Sequence, residues 1–244
     1  MRNIMIVIEY DGTNYHGWQR QPNDITIQEV IENSLLKITR EKIGIIASGR
    51  TDAGVHAYGQ VASLKTSANI DDPSLLKALN SVLPKDIVIK GLSTVPDDFH
   101  ARYSARSKMY KYIILNRPYP SSFYYRYSWY IPYHLDITLM RKGAAILKGR
   151  HDFSSFRAAS CEAKDPVRTL SRLDIYNEGD RIIFYLEGNG FLKHMARNII
   201  GTMVMVGKGK IGPDEIMDIL GSRDRRNAGP TAPPQGLFLV SVSY

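Results

Sequence analysis

The segment Gly49-Arg50-Thr51-Asp52-Ala53-Gly54-Val55-His56-Ala57 carries the densest chemistry in this chain. An apolar run, Ile43 to Ser48, reads as a strand, and Val55 to Leu64 reads as a second strand leading away. Between them lie an arginine and an aspartate on a tight turn, where Gly54 allows a backbone angle closed to other residues. A carboxylate two residues from a guanidinium, on a rigid strand-to-strand turn, suits a nucleophile presented beside a polyanion. Arg50 supplies that guanidinium. Most loop aspartates only cap or solvate their turn, and the residues alone leave both readings open.

Other stretches carry chemistry of a similar kind. Tyr10 to Gln21 is a loop dense in turn formers, aromatics and amides, with Trp18 and Arg20 among them. It suits looped RNA, whose exposed bases stack on rings and guanidinium planes, although an ordinary structured loop has the same composition. Phe99-His100-Ala101-Arg102 leads toward a strand on which Tyr110 and Tyr112 share one face, and Met109 and Lys111 the other. Arg197 lies off the apolar stripe of a strongly periodic helix, a position where arginines are ordinarily solvated.

The elements that position these residues follow from periodicity. Residues 3–10 alternate and are β-branched. Thr26-Ile27-Gln28-Glu29 is a capping box, and Ile27, Val30, Ile31, Leu35 and Ile38 recur at helical spacing behind it. After the two strands around Asp52, the spacing predicts a helix over Asp71 to Leu83, with Asp72 before Pro73 as its start, and a strand over Asp86 to Val95. The second half repeats the order: a strand over Lys108 to Leu115, a helix over Asp136 to Leu147, and a hairpin of Arg168–Tyr176 and Arg181–Glu187 around Asn177-Glu178-Gly179-Asp180. A helix over Phe191 to Val206, a short helix over Pro213 to Leu220 and a strand over Leu237 to Tyr244 complete it. Two βαββαβ units predict an α+β fold of two ferredoxin-like halves, residues 1–105 and 106–244.

Composition sets the partner class. The 244 residues hold 32 Lys+Arg against 24 Asp+Glu, a formal net charge of +8, and the pI is near 9.4. This balance favours nucleic acid over an anionic membrane surface. Hydrophobic residues at 43% and charged ones at 23% suit a soluble globular protein. Cys161 is the only cysteine, which rules out an intrachain disulfide and a cysteine-based zinc site. Met1 to Ile8 does not resemble a signal peptide, and no stretch approaches the roughly 20 apolar residues of a membrane span, so a cytoplasmic location is expected.

Five segments together resemble the tRNA pseudouridine synthase A family. Gly49–Ala57 matches its signature GRTDAGVHA, and Tyr10–Gln21 matches YDGTxYxGWQxQ at every fixed position. Phe99–Arg102 with Tyr110 and Tyr112 resembles FHAR…YxY, and Phe191–Gly201 resembles FLxxMxRNxxG. Ala228–Pro233 and Gly236–Leu239 resemble the closing AGxTAP and GLxL. The family usually has two arginines where this chain has Lys108 and Met109, which weakens local positive charge and bears on backbone contacts more than on chemistry. The resemblance implies that the two halves join through a mainly antiparallel sheet with a cleft between them. It implies isomerisation of uridine to pseudouridine in the anticodon stem-loop, at positions 38–40 of the tRNA. Asp52 would be the nucleophile and Tyr110 the active-site tyrosine, stacking on uracil and moving a proton. Arg197 would pair with Asp52 across the cleft, and Leu237 would wall the uracil pocket. Trp18, Arg20 and Arg102 would contact the RNA. The reaction is redox-neutral and implies no cofactor and no metal; the family implies a homodimer.

Two readings from other classes compete. A non-catalytic tRNA-binding or chaperone protein would use the same two halves with Asp52 as a mere turn residue, but pure binding needs no carboxylate beside phosphate. A metal-dependent nuclease lacks its carboxylate cluster. Three weaker signals are set aside. Gly207-Lys208 lies one residue too far from Gly201 for a phosphate loop, and Gly209 replaces its Ser/Thr. His151-Asp152, flanked by Phe153 and Phe156, reads as a packed turn. Arg223-Asp224-Arg225-Arg226 reads as a solvated charge run that adds at most to an RNA surface.

Overall fold

The computed structural model describes all residues, Met1 to Tyr244. The chain divides into two compact units, Met1–Arg106 with Phe238–Tyr244, and Ser107–Leu237. In the first, β1 (Arg2–Tyr10) leads through a loop into α1 (Ile27–Thr39), followed by β2 (Ile46–Ala47), β3 (His56–Thr66), α2 (Asp72–Val82) and β4 (Ile87–Val95). β1 lies antiparallel between β3 and β4, and β2 pairs antiparallel with β3 at Ser63 and Ala62. Ile4, Ile6 and Ile8 of β1 and Ile27, Ile31 and Leu35 of α1 are fully buried. Each such side chain contributes about 1.5–3 kcal/mol relative to exposure.

The predicted capping box is half made. Thr26 Oγ1 accepts from the Glu29 amide at 3.4 Å, while the Glu29 carboxylate turns to Arg20 at 3.3 Å. At α2 the cap is Asp71, one residue before the predicted start, accepting from the Ser74 amide at 2.9 Å. Asp72 is used elsewhere, 2.7 Å from the Arg2 guanidinium.

The second unit opens with β5 (Ser107–Asn116), β6 (Trp129–Ile131), α3 (Ile137–Leu147) and β7 (Gly149–Asp152). β8 (Val167–Glu178), β9 (Arg181–Gly188), α4 (Met195–Gly207) and α5 (Glu215–Ser222) follow. β5, β9, β8 and β7 are ordered side by side, each antiparallel to the next, with β6 parallel to the end of β5. α3 packs on β8, α4 and α5. The predicted hairpin closes tighter than expected, on Gly179 and Asp180 alone, with Gly179 at φ 62°.

The last strand, β10 (Leu237–Ser243), departs from the order of the sequence. It was expected to complete the second half. Within the first unit, Phe238 and Leu239 pair in parallel with His56 and Ala57 of β3. The Phe238 ring stacks on His56 at 4.7 Å and on Tyr58 at 5.0 Å. β2 and β10 thus share one edge of β3. The apolar run from Ile43 yields only two strand residues because the Ile45 amide donates to Glu32 Oε1 at 3.0 Å and its carbonyl accepts from Gln28 Nε2 at 3.3 Å, both side chains of α1. β7 is a second correction: His151-Asp152, read as a packed turn, lies on a short edge strand paired with β8. No helix is long and apolar enough to cross a membrane.

Candidate active site

Asp52 stands at the first position of a β-turn closed by the Val55 amide donating to its carbonyl at 3.2 Å. Gly54, at φ 75°, occupies the third position, where a type II turn needs a left-handed angle. The opening loop braces this turn from below. The Trp18 amide donates to the Thr51 carbonyl at 3.0 Å and the Gly54 amide to Tyr15 at 3.4 Å. Contact is so close that a Cβ on Gly12 would stand 2.0 Å from the Val55 carbonyl oxygen, and one on Gly17 2.6 Å from that of Thr51. The motifs at residues 10–21 and 49–57 are therefore one structural object.

The strand side is braced as firmly. Thr51 Oγ1 and Tyr10 Oη lie 2.7 Å apart in the core. Burial pushes the Tyr10 phenol up to about 12, against a smaller opposing effect of the Thr51 hydrogen bond, so this ring stays neutral. Ser48 Oγ donates to Gln60 Oε1 at 2.8 Å, and Gln60 Nε2 donates to the Gly49 carbonyl at 2.9 Å. Arg50 is exposed and Asp52 half-buried at the apex of this frame.

The remaining predicted contacts in this unit differ in kind. Trp18 is only 2% exposed and packs against Tyr10, so its ring fills the core beneath the turn and offers no face to a base. Composition alone could not separate the two roles. Arg20 is on the surface, between Glu29 at 3.3 Å and Glu32 at 3.8 Å. Arg102 is exposed and lies over the Tyr103 ring at 5.7 Å.

In the second unit, Tyr110 and Tyr112 share a face of β5 as predicted, and both are buried. The Phe191 ring stands edge-on to Tyr110 at 4.9 Å. That contact accounts for a correction to α4, which begins at Met195 rather than at Phe191. His194 adopts a left-handed conformation, φ 62°, and the Met195 amide donates to Leu192 at 3.0 Å. The chain turns there and Phe191 packs on Tyr110 instead of extending the helix. Tyr112 Oη donates to the Pro233 carbonyl at 2.8 Å. Burial pushes its phenol well up, while the nearby Arg197 charge draws it slightly back.

Arg197 is held at both ends. Its Nε donates to the Ala232 carbonyl at 2.7 Å, and its own carbonyl accepts from the Ala232 amide at 3.1 Å. The stretch Ala228–Ala232 lies on α4 with no room to spare: a Cβ on Gly201 would fall 1.6 Å from the Pro230 carbonyl oxygen. Leu237 is buried. Tyr110, Arg197 and Leu237 therefore belong to one unit, and Arg50, Asp52, Trp18, Arg20 and Arg102 to the other.

Sequence reasoning missed Arg225, which was read with its neighbours as solvated. Its guanidinium turns inward to Asn198 Oδ1 at 3.1 Å, Thr231 Oγ1 at 3.2 Å and the Ala228 carbonyl at 3.2 Å. Arg226 instead pairs with Asp224 at 2.6 Å and Arg223 with Asp152 at 3.0 Å. Arg225 thus clamps the segment that holds Arg197. We expect Arg225→Met to cost about 1–3 kcal/mol, because charged hydrogen bonds are lost and the part-buried acceptors are left short of a donor. Urea unfolding with an unchanged m-value would measure it; a loss below about 0.5 kcal/mol would make Arg225 a surface residue. Gly201 to Gly207 lie within α4, so no phosphate loop exists there, and no three His, Cys, Asp or Glu side chains are grouped to hold a metal.

Comparison with known proteins gives the family. The family model described as tRNA pseudouridine synthase matches residues 6–104 and 144–244. A protein of Thermoanaerobacter pseudethanolicus named tRNA pseudouridine synthase A is 52% identical over 244 residues, all of both chains. One of the same name from Caldicellulosiruptor saccharolyticus is 48% identical, again over all of both. Among solved structures, the archaeal box H/ACA sRNP Nop10-Cbf5 complex covers 92% of this chain and 60% of its own at 13% identity, with a TM-score of 0.35, too weak a likeness to speak to the fold. With a family model that matches both halves of the chain and full-length relatives at 48% and 52% identity, the chain belongs to the tRNA pseudouridine synthase family.

Proposed function

We propose that the protein isomerises uridine in the anticodon stem-loop of tRNA, at positions 38–40, as a cytoplasmic homodimer. The observation that carries this reading is the Asp52 turn, held from both sides by backbone contacts, with the carboxylate on its first residue and Arg50 two residues before it. Non-catalytic binding gives no reason for a carboxylate so rigidly presented beside a polyanion, and family membership disfavours that alternative.

In the proposed reaction Asp52 adds to the base at C6 or to the ribose at C1′. The bond from C1′ to N1 breaks, the uracil turns, and a bond from C1′ to C5 forms. The C5 proton leaves and N1 ends protonated, so no electrons or atoms are exchanged with a cofactor. A carboxylate suits the task because it can add covalently and then depart. The base must first leave its stack, at a cost of a few kcal/mol. Arg50 fills the gap or holds the phosphate of the flipped nucleotide, with Arg20 and Arg102 contacting RNA further out. Trp18 acts through the turn that it supports. Arg197 pairs with Asp52, Tyr110 stacks on the uracil and accepts the C5 proton, and Leu237 walls the pocket.

Release of tritium from C5-labelled uridine in tRNA tests the reading directly, since no binding protein liberates it. Tyr110→Phe separates two roles. The ring and its edge contact with Phe191 remain, so affinity should hold within a few-fold, while the single-turnover rate at saturating enzyme falls by about 100-fold or more. A near-normal rate would leave Tyr110 as a stacking platform only.

A further inference from the structure

None of the five motifs lies between Arg117 and Leu135, yet eight aromatic side chains fall there, with two arginines and no carboxylate. Tyr119 is 62% exposed, Phe123 83% and Tyr125 59%. Single exposed aromatics are ordinary. Here the rings are paired with cations: Arg117 lies 4.6 Å from the Tyr119 centroid, Arg126 5.2 Å from that of Tyr125, and Arg181 5.8 Å from that of Tyr124. Lys208 lies 4.3 Å from the Tyr133 ring. Each cation lies over one face of its ring, so a base has the opposite face to stack on and a phosphate has the charge beside it.

The segment is also built to hold its shape. Arg117 donates from Nε to the Tyr119 carbonyl at 3.0 Å and from Nη2 to Pro120 at 3.1 Å. Tyr130 Oη donates to Pro118 at 2.8 Å, Ser128 Oγ to Tyr124 at 2.8 Å, and Asn116 Nδ2 to Ile131 at 3.0 Å and Tyr133 at 2.7 Å. A tied backbone loses little freedom when a ligand docks.

Charge selects the occupant. The strip carries four cations, Arg117, Arg126, Arg181 and Lys208; Arg117 is ion-paired with Asp180 at 3.2 Å and Arg181 with Glu178 at 3.6 Å, and Asp136 follows the segment directly. A second copy of the chain docked through this strip would set cations against cations near a two-fold axis, whereas a polyanion is complementary to it. We propose that Arg117–Tyr133 is a second RNA-contact surface, on which Tyr119, Phe123 and Tyr125 stack unpaired nucleotides of the tRNA other than the one isomerised. This rests on the reading of the protein as a tRNA-modifying enzyme.

The test uses the full-length protein with Tyr119→Ser, Phe123→Ser and Tyr125→Ser together, and each change singly. Affinity for whole tRNA should fall about tenfold or more in the triple variant. The single-turnover rate at saturating enzyme should stay within about twofold, and the salt slope should change by less than about one, since no charge is removed. Sedimentation equilibrium should show an unchanged mass. Unchanged affinity would overturn the proposal. So would a fall in mass that accompanies the loss of affinity, which would make the strip an interface between copies. If the triple variant unfolds, Phe123→Ser alone decides, because a residue so exposed cannot break the core. Tritium release by the wild type reports separately on whether the protein isomerises uridine at all.

Discussion

Asp52→Asn should leave less than about one percent of wild-type tritium release while tRNA affinity stays within a few-fold. The substitution changes shape very little. The turn is held by the Val55, Trp18 and Gly54 amides, by the Thr51–Tyr10 contact and by Gln60, and none of these bonds uses the Asp52 carboxylate. The fold should therefore survive, and with it the surface that meets RNA. What is lost is the anionic oxygen that, in the proposed reaction, adds to the substrate, and an amide is no substitute for it. Turnover above a few percent, measured with saturating enzyme in one turnover, would remove Asp52 from the role of nucleophile. A collapse of affinity alongside turnover would instead make the carboxylate a binding group.

Gly201→Ala should be the most damaging single methyl in the second unit. Helix propensity alone would favour alanine by about 1 kcal/mol. The packing opposes it more strongly. The new Cβ would lie 1.6 Å from the Pro230 carbonyl oxygen and 2.8 Å from its carbon, both backbone atoms that cannot swing aside. Overpacking against backbone costs about 3 kcal/mol or more, so the net sign is destabilising. The displaced segment includes Ala232, which holds the Arg197 guanidinium at 2.7 Å, so turnover should fall as well. Gly221→Ala is the matched control. Gly221 lies in α5 with nothing within 4 Å of its Cβ position, and there the propensity term should stand alone as a small gain. Equal effects at the two sites in thermal unfolding would refute the close approach of Pro230 to α4.

The elements that could be read from the sequence are those whose signal is local. Ile27, Ile31 and Leu35 at helical spacing behind Thr26 specify α1 without help from the rest of the chain. The alternation of Ile4, Ile6 and Ile8 does the same for β1. What could not be read depends on distant partners. The run from Ile43 has strand character throughout, but the Glu32 and Gln28 side chains take the Ile45 backbone and only Ile46 and Ala47 pair. Phe191 fits a helical stripe, yet the Tyr110 ring draws it out of α4. Arg225 looks like its neighbours Arg223 and Arg226, and only its burial against Asn198 and Thr231 sets it apart. Trp18 shows the same limit within the site, since a ring suited to stacking on a base is equally suited to filling the space under a turn. The candidate site was legible as a set of residue types and motifs, while its supports were not.

The pairing of β10 with β3 also has a consequence in time. His56 and Ala57, immediately after the Asp52 turn, receive their parallel partner from Phe238 and Leu239. A ribosome adding about 5–20 residues per second takes on the order of ten seconds to pass from the end of the first unit to that partner. Throughout that interval the edge of β3 beside the turn is unpaired, and the faces of His56 and Tyr58 lack the Phe238 ring. A bare strand edge is where a nascent chain pairs wrongly with itself or with another. The scaffold of the Asp52 turn is thus begun with the first unit and finished only after residues 107–237 have been made. The strand that carries this turn therefore waits for Phe238 and Leu239 rather than closing with the rest of its own half.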